Sequence, residues 1–138
     1  MFHKIVLPVD LTHADKLGKA LGLAAELATR YGAEVCYVGV TANTPGAVAR
    51  NPKDYSDRLA AFAAEQGHER GINTTSRTIV SHDPSVDTDR HLIEAVKDLG
   101  ADLVVMATHL PNAGDYIWAG HGASVAAHVG ASVFLVRD

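Results

Sequence analysis

Four unbroken apolar runs constrain this chain more than any other feature: "KIVLPV" from residue 4, "AEVCYVGV" from 33, "ADLVVMA" from 101 and "SVFLV" from 132. None alternates polar with apolar residues, so each reads as a strand covered on both faces. Helical spacing fills the gaps between them. Leu17, Leu21, Ala24, Ala28 and Tyr31 share one helical face, and Gly32 suits the helix end. "PKDYSDRLAAFAAEQGHERG" predicts a second helix with Pro52 near its start and Leu59, Phe62 and Ala63 inward. "TTSRTIVS" reads as a half-polar strand, and "HDPSVDTDR" as an acidic turn. That turn leads to a helix with Leu92, Val96 and Leu99 on one face and Gly100 at its end. The tail after residue 107 predicts a long loop, a short helix and the last strand. Strands alternating with helices call for a parallel sheet covered on both faces. The expectation is one α/β domain over residues 1–138, doubly wound, with five parallel strands in the order 3-2-1-4-5.

Composition narrows the function classes. The chain has 138 residues and a formal net charge of −4. No basic stripe offsets that charge, which argues against nucleic-acid binding and adhesion to anionic membranes. No segment approaches the length of a membrane span, and the first nine residues lack a signal peptide's long apolar core. The single cysteine, Cys36, sits inside an apolar run and reads as a buried, inert thiol. A cytoplasmic location is the expectation.

In open α/β sheets, ligands bind beyond the carboxyl ends of the strands. Segment 8–10, segment 40–43, segment 81–84 and the loop after Met106 lie there. Asp10 has two readings of equal weight. It can accept hydrogen bonds from ribose hydroxyls or hold a divalent cation, or it can cap a helix beginning near Thr12. In "AGHGASVAAH", residues 119–128, Gly120 and Gly122 let the backbone approach an anion at a helix start. On the motif alone the favoured reading is the other one, small residues for close helix–sheet packing. Neither a Walker A loop nor a dinucleotide fingerprint is present, because no Gly-Lys-Ser/Thr follows and Val125 stands where a third glycine belongs. Eight histidines invite a metal reading. Yet His121 and His128, seven apart on one helix, would stand ~10 Å from each other, too far for one metal. His121 at a helix start is expected to be neutral until an anion binds. Ser124 lies in no nucleophile elbow, and Asp83, Asp87 and Asp89 read as a solvated turn and helix cap. Tyr116 and Trp118 could cover a base, and Trp118 could equally plug the sheet end.

Over nearly its full length the chain resembles the universal stress protein family. "KIVLPVDLTHADKLGKAL" is similar to that family's first strand, Pro-x-Asp and first helix. "HLIEAVKDLGADLVVMATH" is similar to its penultimate helix and fourth strand, and "HVGASVFLVR" to its ending. The family's ATP-binding members carry Gly-x2-Gly-x9-Gly-Ser/Thr after the fourth strand. Here the counterpart reads Ala107-x2-Leu110-x9-Gly120-His121, without two of the glycines and the hydroxyl. "THLP" at 108–111 resembles the turn of the F/G-like branch, and in that register Ala119-Gly120 replaces Gly-Ser, His121 an Asn, and His128 a His.

Carried over by position, the resemblance implies that Pro8, Val9 and Asp10 border adenine and ribose and that Val40 lines the base pocket. Met106, Ala107 and His109 would lie on the ribose-phosphate side, and Ala119, Gly120, His121 and Gly122 would meet the phosphates. Any Mg2+ would be held weakly, by Asp10 through the bound nucleotide. The resemblance also implies a homodimer paired through Val133, Phe134, Leu135 and Val136, an apolar edge strand without Pro or Lys. The resulting expectation is a dimeric stress-response or regulatory protein that binds an adenine nucleotide, ATP first, with little or no hydrolysis. The alternative is an interaction module without nucleotide, acting on a partner such as a membrane transporter. A small hydrolase or phosphotransferase using Asp10 and His121 ranks last.

Overall fold

The computed structural model describes residues 1–46, 48–108 and 122–137. Five parallel strands form one sheet: β1 (Lys4–Pro8), β2 (Glu34–Thr41), β3 (Thr74–Val80), β4 (Leu103–Thr108) and β5 (Ser132–Arg137). Their order is β3-β2-β1-β4-β5, as expected. Pro8 pairs with Val38 in the β1–β2 register, and Met106 pairs with Leu135 in the β4–β5 register. Among the described residues four α-helices connect the strands: α1 (Gly18–Tyr31), α2 (Pro52–Arg70), α3 (Pro84–Leu99) and α4 (Gly122–His128). A 3-10 segment, Leu11–Lys16, precedes α1.

Side-chain alternation along the buried strands splits the core into two halves. Ile5, Leu7, Val35, Tyr37 and Val105 pack with Leu21 and Ala24 of α1 and Leu59 and Ala63 of α2. Val6, Cys36, Val38, Val104 and Met106 face the other way, toward Leu92 and Val96 of α3 and Val125 of α4. An apolar run with no polar alternate is what such a two-sided sheet requires.

Helix ends fall where the residue types place them. Gly32, Gly71 and Gly100 adopt left-handed conformations after α1, α2 and α3. Asn51 caps α2, accepting from the Asp54 N–H at 2.8 Å, and Pro52 fills the first turn. Two expectations are corrected. α3 begins at Pro84, so most of the acidic stretch is helix rather than turn. Within that first part of α3, Asp87 pairs with Arg90 one turn on, at 3.4 Å. The region after Pro8 is also more structured than a single helix start, because the chain makes the 3-10 segment before α1 proper. Cys36 is buried, and burial pushes its thiol pKa up, which fits the inert reading. Among the described residues no helix is long and apolar enough to cross a membrane.

Candidate functional site

The carboxyl ends of β1 and β2 open into a cleft of about 280 Å3 lined by Asp10, Val40, Thr41, Val48, Ala49 and Tyr55, together with neighbouring loop residues. The volume sits at the lower end of small-molecule sites. Its walls divide by chemistry. Val40, Val48 and Ala49 give an apolar side, Thr12, Thr41 and Thr44 supply hydroxyls, and Asp10 supplies the carboxylate. Among the described residues no lysine or arginine lines the cleft. A cleft of this kind suits an uncharged ring with hydroxyls attached, rather than a bare anion.

The structure shows Asp10 in its capping role, with the carboxylate also in the cleft wall. Its Oδ1 accepts from the Thr12 N–H at 3.0 Å, capping the 3-10 segment. Its Oδ2 lies 3.2 Å from His13 Nδ1. The carboxylate is thereby oriented by two neighbours while remaining part of the cleft wall.

The tyrosine in the wall is held from below. α2 carries Tyr55 across the sheet onto Gly39 of β2, where a β-carbon would meet the Tyr55 hydroxyl first and stand 2.9 Å from Cε1 and 3.0 Å from Cζ. The ring fits only because position 39 has no side chain. Burial and the negative charge of nearby Asp10 push the Tyr55 hydroxyl pKa well above its ordinary value, so it stays protonated at neutral pH. Neither Gly39 nor Tyr55 was among the sequence expectations. A glycine inside an otherwise apolar strand run was the available signal, since it marks a close approach to the backbone.

Not every expected site residue lies in the cleft. Asp10 and Val40 line it. Pro8 and Val9 are buried immediately beneath, with Val9 in the core and its N–H bonded to the Val38 carbonyl at 2.8 Å. Met106 is 1% exposed and packs in the half-core that contains Val125, while Ala107 packs partly into the opposite half. Gly122 opens α4 and lies against Leu135 of β5, where a β-carbon would stand 2.7 Å from Cδ2. In Gly122 the packing reading is therefore realised. His128 turns its Nδ1 to the Ser124 carbonyl of its own helix at 2.8 Å. His109, Ala119, Gly120 and His121 lie outside the described residues, as do Leu110, Tyr116 and Trp118. Among the described residues no group of three His, Cys, Asp or Glu could hold a metal ion. Asp10 is a single carboxylate, and a cation held by it would need most of its ligands from elsewhere.

β5 is the sheet edge, with Phe134 and Leu135 46% and 43% exposed. Val133 packs partly against the core and Val136 is buried within it. Only the middle of the strand offers apolar side chains outward.

Comparison with known proteins agrees with this architecture. A universal stress protein family member from Burkholderia pseudomallei superposes with a TM-score of 0.64 at 22% identity, covering 96% of this chain and 94% of that one. The Archaeoglobus fulgidus universal stress protein in complex with dAMP gives 0.68 at 18% identity, over 96% of each chain. An Arabidopsis thaliana member with AMP bound gives 0.63 at 17% identity, over 98% of this chain and 90% of that one. No curated protein matches the chain in sequence. Residues 1–137 match the Universal stress protein family, and with the fold and edge order above, the chain belongs to that family.

Proposed function

We propose that this protein binds an adenine nucleotide in the cleft at the carboxyl ends of β1 and β2 and acts as a dimeric regulatory or stress-response protein. The observation that carries the reading is the pairing of the Asp10 carboxylate with the apolar Val40, Val48 and Ala49 wall in one cleft. An aromatic base takes the apolar side, and the sugar hydroxyls donate to the carboxylate. Family members in complex with cAMP, dAMP and AMP support the choice of ligand class. ATP is the first candidate within that class. Its phosphates would extend away from Asp10 toward segment 119–122, the altered counterpart of the glycine signature in the F/G-like register. Mg2+ would arrive with the phosphates and be held chiefly by them. The role assigned is binding, with the Asp10 carboxylate engaged by the sugar hydroxyls. Dimerisation would pair two β5 edges and cover Phe134 and Leu135. The test is mass spectrometry of small molecules released by denaturing freshly purified protein. A released adenine nucleotide supports the reading and names the ligand, whereas release of a different ligand class overturns it.

One observation favours a second reading. Gly122 packs against Leu135 and Met106 is buried in the core, which gives both positions a role in the fold that needs no nucleotide. An interaction module acting on a partner such as a transporter, without nucleotide, would show an intact dimer and no binding of any adenine nucleotide.

A further inference from the structure

The cleft holds a polar group that neither the chain's family nor its sequence pattern points to. Tyr55 is 94% buried by the complement of its 6% exposure, yet it lines the cleft. Among the described residues no hydrogen bond engages its hydroxyl. The other deeply buried tyrosine of this half-core, Tyr37, is different: its hydroxyl is sealed from solvent as well as unpartnered. The Tyr55 hydroxyl stands at the cleft wall rather than sealed in the core, so it is placed to donate to a bound molecule. A phenylalanine would pack on Gly39 equally well.

We propose that Tyr55 is a specificity-determining residue that donates a hydrogen bond to a sugar hydroxyl of the bound nucleotide, beside Asp10, so that the cleft selects ribose over sugars lacking the 2′- and 3′-hydroxyls. The inference rests on the adenine-nucleotide reading above and adds a reader of the sugar to it. Three features place the hydroxyl. Gly39 removes the β-carbon that would push the ring outward. α2 fixes the base of the side chain one turn inside its Asn51 cap. Asp10 lines the same cleft as Tyr55, so donor and carboxylate face one ligand space. A protonated phenol donates, and a carboxylate accepts. Together they match the two faces of a vicinal diol, in which one hydroxyl donates to Asp10 and the other accepts from Tyr55. This arrangement discriminates strongly because a ligand without the hydroxyls leaves both protein groups desolvated and unpaired.

The experiment is calorimetric titration of AMP and of 2′,3′-dideoxy-AMP into wild type and Tyr55→Phe, with unfolding midpoints measured in parallel. Tyr55→Phe keeps the ring on Gly39, so the fold is expected to be retained. AMP binding should weaken about three- to tenfold, the size of one neutral hydrogen bond, while dideoxy-AMP binding should not change. Gly39→Ala, which displaces the hydroxyl without removing it, should show the same selective loss. Equal weakening of both ligands would make Tyr55 a packing residue and overturn the proposal, as would no weakening of either. If wild type binds neither ligand, the adenine-nucleotide reading itself fails and the inference with it. That outcome differs visibly from binding that ignores Tyr55.

Discussion

Gly39 and Tyr55 share one volume: the phenol, hydroxyl foremost, rests where the β-carbon of any other residue at position 39 would be, with Cε1 only 2.9 Å from that point. The contact joins β2 to α2 at the carboxyl edge of the sheet and shapes the cleft wall.

Gly39→Ala is therefore expected to destabilise the protein by about 1–3 kcal/mol, because the ring is buried and cannot swing aside freely. In a Tyr55→Ala background the same substitution should cost nothing or stabilise slightly, since strands disfavour glycine. Urea unfolding of the four proteins of this cycle measures the coupling, and additive effects would contradict the shared-volume account.

Gly122→Ala should behave differently even though its β-carbon would meet Leu135 at 2.7 Å. Leu135 is 43% exposed on an edge strand, so its terminal methyls can rotate outward. Helix formation favours alanine over glycine by about 1 kcal/mol. The two effects offset, and a change in stability within about 1 kcal/mol of zero is expected by urea unfolding. A loss of several kcal/mol would mean that β5 and α4 are locked together more tightly than this.

Tyr37→Phe should stabilise the protein. The Tyr37 hydroxyl is buried with no hydrogen-bond partner, and leaving such a group unsatisfied costs about 1–3 kcal/mol. The ring itself is retained, together with its edge-on contact with Phe62 at 5.4 Å between centroids. The substitution also removes an alkaline liability. Burial raises the Tyr37 pKa from 10.0 to about 12, so the folded state binds a proton more tightly than the unfolded one. That contribution is fully present below pH 10 and is lost as pH rises toward 12, at up to about 1.4 kcal/mol per pH unit. Stability of Tyr37→Phe followed from pH 9 to 12 should decline less steeply than wild type. An unchanged slope would refute the assignment.

Much of the fold was legible because the strands are covered on both faces. A run such as "DLVVMA" can hardly be anything other than an inner strand once a helical pattern and Gly100 precede it. The helix ends were legible for the same local reason, since Gly32, Gly71 and Gly100 need left-handed backbone. The start of α3 was misplaced because Asp83, Asp87 and Asp89 suggest a turn, whereas acidic residues in a first helical turn are stabilising and do not interrupt it. The site was read only in part. Asp10 and Val40 follow directly from strand ends, but Tyr55 reaches the cleft from the first turns of α2, more than a dozen residues after Val40 in sequence. Only the glycine at 39 hinted at that crossing. Met106 and Gly122 lie near the right strand ends, yet side-chain direction and helix packing turn them inward.

The exposed centre of β5 gives a separate expectation. Phe134→Lys together with Leu135→Lys places charge on the exposed apolar pair of that edge, which the proposed dimer would set against the same residues of a second copy. Sedimentation should show wild type as a dimer and the double variant as a monomer with a retained fold. A monomeric wild type would remove this edge as the interface.

The most direct test of the central claim is calorimetric titration of AMP, cyclic AMP and ATP with Mg2+ into wild type and Asp10→Ala. The account predicts saturable binding of at least one of them to wild type and at least a tenfold weaker response in Asp10→Ala, in line with the loss of a charged hydrogen-bond acceptor. The variant should also lose about 1 kcal/mol of stability with its cap, a change too small to unfold it. Binding that is indifferent to Asp10, or no binding of any of the three to a folded wild type, would contradict the account.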